Sequence, residues 1–211
     1  LEKGGNVDFL LMSATPIPRT LATSLYGDMD VSSIEELPKG RKPIITTLVK
    51  ESSMRTILQD VLSYIDEGNQ CYIVCPAIER NDEYVMRNVE ELYENMRSTL
   101  PEIYRMHYLH GKMSTEEKDE IMQSFVNKEF DILIATSVIE VGVDVKDANI
   151  MVIYDAERFG LSQIHQLRGR VGRGDKQGYC YLLTKSKDPD SLKRLQILCD
   201  SNDGFEISKQ D

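Results

Sequence analysis

The sequence predicts an α/β fold with a mostly parallel sheet flanked by helices. Short apolar runs alternate with helical stripes along most of the chain, which is the pattern of strands joined through helices. The connections are short, and crossover helices between them imply parallel strands in right-handed βαβ units. The composition, 211 residues of which 41% are hydrophobic, is that of a globular protein able to build a core. No apolar run approaches the roughly 18 residues that span a bilayer. The first residues lack a basic stretch followed by an apolar one, so no secretion signal is expected. A cytoplasmic protein is the expectation.

Strands are expected at Val7–Met12, Cys71–Cys75, Tyr104–Leu109, Asp131–Thr136, Ile150–Tyr154 and Tyr179–Thr184. Between them, Met54, Ile57, Leu58, Val61, Leu62 and Ile65 recur at helical spacing and end before Gly68. Val85, Val89, Leu92, Tyr93, Met96 and Leu100 form a second stripe stopped by Pro101. A third helix opens at Ser114, where Glu117 three residues later completes a capping box. Residues 1 to about 38 hold one strand and one short helix, too little for a core of their own. They read as the tail of a preceding domain. The basic Leu37–Pro43 stretch, LPKGRKP, follows as a linker, and a complete domain comes after it.

The formal charge is −10 and the isoelectric point about 4.9. That excludes proteins that live on bulk attraction to DNA, RNA or anionic membranes. It does not exclude a local phosphate site: residues 158–176 carry Arg158, Arg168, Arg170, Arg173 and Lys176 against Asp175. Cys71 and Cys75 lie on one expected strand, so their Cα atoms would stand about 13 Å apart, too far for a disulfide. No Cys/His spacing suggests zinc. Buried free thiols are expected. His107, His110 and His165 have no partners at metal or triad spacing, and structural or surface roles are expected of them.

Two phosphate-loop decoys fail. Gly111-Lys112 follows a strand, but Met113 stands where Ser or Thr is required and Met106 where the loop's first Gly should be. Gly169-Arg-Val-Gly172-Arg-Gly174 follows a helical segment and precedes a strand, the reverse of the dinucleotide order. Three other segments carry chemistry. QLRGRVGR, residues 166–173, sets Arg168, Arg170 and Arg173 close together, and guanidinium forks match phosphate oxygens. Arg170 and Arg173 would share one face of a helical turn. A solvated basic helix end explains the same spacing equally well. Asp131–Asp144 is a buried strand ending at Thr136-Ser137, after which Gly142 permits a turn that presents Asp144. Asp144 could hold a ribose hydroxyl or simply cap locally. SATP, Ser13–Pro16, ends the first strand with two hydroxyls and a rigid turn. Chemistry is expected at the carboxyl ends of the strands.

Taken in this order, SATP, ATSVIEVGVDV (135–145) and QLRGRVGR resemble the later motifs of superfamily 2 helicases. TPIPRTLATSLYGDMDVSSIEELPKGRKPI, HGKMSTEEKDEIMQSF, AERFGLSQIHQLRGRVGRG and SNDGFEI are similar to its branch-migrating, DNA-remodelling members. The transcription-coupled repair translocases share ATPIPRT and HQLRGRVGR-like segments and stand second. The resemblance implies a RecA-like three-layer sandwich, preceded by the last strand and helix of another lobe. Residues 1–38 would end helicase lobe 1, 39–50 form the interlobe linker leading into lobe 2, 51–186 form lobe 2, and 187–211 begin a helical hairpin.

It further implies an ATP-dependent DNA helicase acting on branched or duplex DNA, such as stalled forks and four-way junctions, in repair and recombination. ATP and Mg²⁺ would be bound mainly by lobe 1, which carries the phosphate loop this chain lacks. The chain alone would therefore be inactive. Arg170 and Arg173 would be catalytic arginine fingers. Gly142, Asp144 and Gln166 would meet the nucleotide, Ser13 and Thr15 would couple the lobes, and Thr136 and Ser137 would hold DNA backbone. The resident metal of this lobe would be none. The implied partners are DNA and the upstream lobe 1 and wedge domain, with no membrane, in a monomer. A non-enzymatic helicase-like binding module is the reading from a different class.

Overall fold

The computed structural model describes residues 42–76, 89–136 and 144–208, together with Met12 and Ser32. Their six strands form one sheet: β1 Ile45–Lys50, β2 Gln70–Cys75, β3 Met106–Leu109, β4 Ile132–Thr136, β5 Ala148–Ile153 and β6 Tyr179–Thr184. The spatial order is β1-β6-β5-β2-β4-β3, and every pairing is parallel. The helices are α1 Met54–Asp66, α2 Val89–Thr99, α3 Thr115–Val126, α4 Leu161–Arg168, α5 Pro189–Asp200 and α6 Gly204–Ser208.

The central strands are buried on both faces, as parallel strands with helices on either side must be. β2, β4 and β5 have no exposed residue. Along β2, Tyr72 and Val74 point into one core, and Cys71, Ile73 and Cys75 into the other. The first core is closed by Phe125 of α3, Leu161, Ile164 and Leu167 of α4, and Leu195 and Leu198 of α5. The second is closed by Ile57, Val61 and Ile65 of α1 and by Val89, Leu92 and Met96 of α2. This is the expected three-layer sandwich.

Local signals set the helix ends. At α3, Glu117 N–H donates to Ser114 Oγ at 3.2 Å and Ser114 N–H to a Glu117 carboxylate oxygen at 2.8 Å, the anticipated capping box. At α5, Asp188 accepts from Ser191 N–H at 2.9 Å and Pro189 occupies the first turn. α1 stops where Gly68 takes φ +83°.

Several expectations change. β1, ITTLVK, was not among the expected strands; it becomes one by pairing residue for residue with β6 along the sheet edge. The strand expected from Tyr104 begins at Met106. The second helix is described from Val89, so Val85 lies outside the described residues. The expected strand Val7–Met12 also falls outside them, Met12 apart, as do most of residues 1–41.

Candidate functional site

α4 carries Gln166 and ends at Arg168, capped by Gly169. Arg170 and Arg173 therefore do not share a helical face. They sit in the turn between α4 and β6, which reverses through Gly172 at φ +65°. A side chain at Gly172 would meet Gly178 Cα at 3.1 Å, and one at Gly178 would meet Gly172 Cα at 3.0 Å. The two glycines let the ends of the turn close on each other. Gly172 N–H donates to the carbonyl of Ala148, the first residue of β5, at 3.2 Å. Beside it, Gln70 N–H donates to Asp147 O at 2.7 Å, so the rim on which the turn rests is itself tied down.

A segment running from a helix into a parallel strand lies at the amino end of the sheet. The arginine turn is such a segment, and Asp144 precedes β5 at the same end. Arg173 Nη1 meets Asp144 Oδ1 at 3.3 Å, and Arg173 Nε donates to Gly169 O at 3.2 Å. Two of the five guanidinium protons are thereby used, and the side chain remains 29% exposed. The cluster thus lies at the end opposite to the carboxyl ends of the strands, where Thr136, the last residue of β4, stands.

Thr136 lies level with Cys75 on β2, and Ala148 level with Gln70. Five residues of strand separate those levels, roughly 16 Å. Thr136 and the arginine turn are thus at opposite ends of the sheet. Thr136 Oγ1 is buried with no hydrogen-bond partner among the described residues. Gln166 is half-buried on α4. Ser13, Thr15, Ser137 and Gly142 lie outside the described residues.

Tyr72, which the sequence reading passed over, belongs to this neighbourhood. Burial pushes its phenol well above the ordinary range. The charges of Arg170 and Arg173 pull it back, and Asp144 pushes it up. The ring itself packs edge-on against Phe125, centroids 5.0 Å apart. Nothing in the QCYIVC run distinguishes Tyr72 from an ordinary core tyrosine.

Arg168 is a different kind of arginine from its neighbours. It is 1% exposed, burial lowers its pKa, and its guanidinium is bonded to Thr46, His165, Leu198 and Ser201. It does not add to the exposed charge of the turn. Among the described residues, no cluster of three His, Cys, Asp or Glu side chains could hold a metal. No helix of these residues is long and apolar enough to cross a membrane.

The family model of the helicase conserved C-terminal domain matches residues 53–175. Over all 211 residues the chain is 50% identical to the ATP-dependent DNA helicase RecG of Staphylococcus aureus strain Mu50, of which it spans 31%. It is similar to a structure of RecG bound to a three-way DNA junction, with a TM-score of 0.83 and 42% identity over 99% of this chain and 27% of that one. S. cerevisiae Dbp5 bound to RNA and ADP BeF3 shares the fold, with a TM-score of 0.62 and 18% identity over 90% of this chain and 46% of that one.

Proposed function

This chain belongs to the helicase conserved C-terminal domain family, and from that membership we propose that it is the second motor lobe of an ATP-dependent DNA helicase. Its substrate is branched or duplex DNA, in repair and recombination. The whole-chain similarity to proteins named ATP-dependent DNA helicase RecG supports DNA as the polymer. The chain spans about a third of those relatives, so the cycle needs a first lobe that binds most of ATP and its Mg²⁺. Residues 1–38 would end that lobe, and 39–50 would link the two and enter the second, whose sheet β1 joins. Residues 51–186 would be the second lobe, and 187–211 the start of the element after it.

The observation that carries the reading is the Arg173–Asp144 pair at 3.3 Å, whose arginine shares its turn with Arg170. Phosphoryl transfer spreads negative charge over the transferred group. Guanidinium donors fixed in advance stabilise that charge at no cost of reorganisation. Gly169 O and Asp144 fix the Arg173 fork and leave protons for phosphate oxygens. Arg170 and Arg173 are the proposed fingers. Gly142, Asp144 and Gln166 would contact the nucleotide, Ser13 and Thr15 would couple the lobes, and Thr136 and Ser137 would hold DNA backbone. The distance between Thr136 and the arginine turn suits two separate ligands, one at each end of the sheet. Hydroxyl contacts to phosphates position a strand without reading its sequence, as a motor stepping along any DNA requires.

In the intact protein, Arg173→Ala should lower DNA-stimulated ATP turnover by about 10³-fold or more and leave DNA affinity largely unchanged. Steady-state ATPase assays and DNA titrations check this, and near-normal turnover rejects the finger assignment.

A further inference from the structure

Arg168 is the largest side chain fully buried among the described residues. Its Nη1 donates to Leu198 O at 2.6 Å, Ser201 O at 3.0 Å and Thr46 Oγ1 at 3.1 Å, and its Nη2 meets His165 Nδ1 at 2.8 Å. Nη1 has two protons for three acceptors, so one proton is shared. None of these partners is a carboxylate. The charge is answered by carbonyls at the carboxyl end of α5, where the helix dipole is negative. Because an arginine stays protonated, His165 accepts through Nδ1 and directs Nε2 at α6. A side chain at Gly204 would come within 2.9 Å of that Nε2.

The residue after Arg168 is Gly169, whose carbonyl accepts from Arg173 Nε at 3.2 Å, and Arg173 reaches Asp144. An unbroken series of hydrogen bonds and one peptide link therefore runs from the carboxyl end of α5 through Arg168 to Arg173. No phosphate can reach a guanidinium so enclosed.

We propose that Arg168 is a positioning residue for Arg173, anchoring the arginine turn to the carboxyl end of α5 so that the finger is held in place before phosphoryl transfer. This deepens the finger reading and rests on it. A finger acts in the transition state, so loosening its anchor lowers kcat with little change in KM.

The test is a double-mutant cycle in the intact ATPase with Arg168→Gln, Arg173→Ala and the pair together. Arg168→Gln should reduce kcat about tenfold or more and leave KM for ATP within about twofold. The double variant should be no slower than Arg173→Ala alone, because both changes remove one function. Arg168→Lys, whose three donors can replace those of Nη1, should recover part of the loss. If Arg168→Gln does not fold, as read by circular dichroism, the cycle is run with Arg168→Lys and the same non-additivity is expected. Wild-type kcat in the Arg168 variant, or losses that multiply in the double variant, overturn the proposal. Wild-type turnover in Arg173→Ala brings down the finger reading itself, and that single variant shows it before any Arg168 result.

Discussion

Burial decides what a charged or nucleophilic side chain can do, and neighbouring residues of one type can end in opposite environments. Arg168 and Arg173 lie in one basic run. One is sealed among carbonyls and the other stands at the rim with part of its fork open. The spacing of QLRGRVGR shows a cluster of guanidinium groups. It does not show which of them is enclosed, because three of the four acceptors that enclose Arg168 lie 30, 33 and 122 positions away. The cysteines follow the same logic and were legible. All four thiols are free, and Cys71, Cys75 and Cys180 are buried. Burial pushes the thiols of Cys75 and Cys180 up to about 12 and that of Cys71 higher still. A thiol reagent attacks only the thiolate. At neutral pH, Cys199, which is half-buried, should therefore label first. The other three should label only as fast as the fold opens. Mass spectrometry of timed labelling checks the order, and early modification of Cys75 contradicts it.

At the scale of the element, the capping box of α3 was written in its four residues and is present in full. Hydrogen bonds from the backbone and side chain of Ser114 hold the Glu117 carboxyl below its ordinary value of 4.5. A depressed carboxylate pKa adds stability above the unfolded value, and that stability is lost as pH falls through the folded one. Ser114→Ala should cost about 1 kcal/mol near neutrality, and its deficit against the wild type should shrink as pH drops below 4.5. Urea unfolding at pH 7 and pH 3.5 measures both, and a deficit that grows on acidification refutes the assignment. Other elements were not local. ITTLVK alternates weakly as an edge strand, with one face half open, and only its ladder to β6 makes it a strand. A helical turn through Arg170 and Arg173 would put both on one face, but the helix carrying QLR stops before them. It ends at Arg168 because Gly169 and Gly172 release the chain into a turn.

For the whole molecule, the sheet is the shared wall of two cores, so a cavity in its centre weakens both layers. Ile73 is fully buried on β2, between β4 and β5. Ile73→Ala should cost about 2–5 kcal/mol, a large part of the 5–15 kcal/mol typical of a domain. Denaturant unfolding of the chain checks it, and a loss below about 1 kcal/mol would mean that β2 is not the packed centre. The net charge of −10 excluded a bulk nucleic-acid binder and never spoke against a local cationic cluster such as Arg170 and Arg173 in one turn.

By itself the sequence determined the α/β class, five of the six strands, three of them to within one residue and two to within two, the capping box at Ser114 and the burial of three of the four thiols. Each of these is encoded by neighbours a few positions apart, through periodicity or capping. It also carried the resemblance to helicases that the family match bears out. Only the tertiary structure decided which end of the sheet holds the arginines, that Asp144 meets Arg173, and that Arg168 faces inward. The physical reason is common to all three. A parallel sheet places segments distant in sequence side by side, and a charge's partners, not its sequence neighbours, determine whether it binds a ligand or holds the fold.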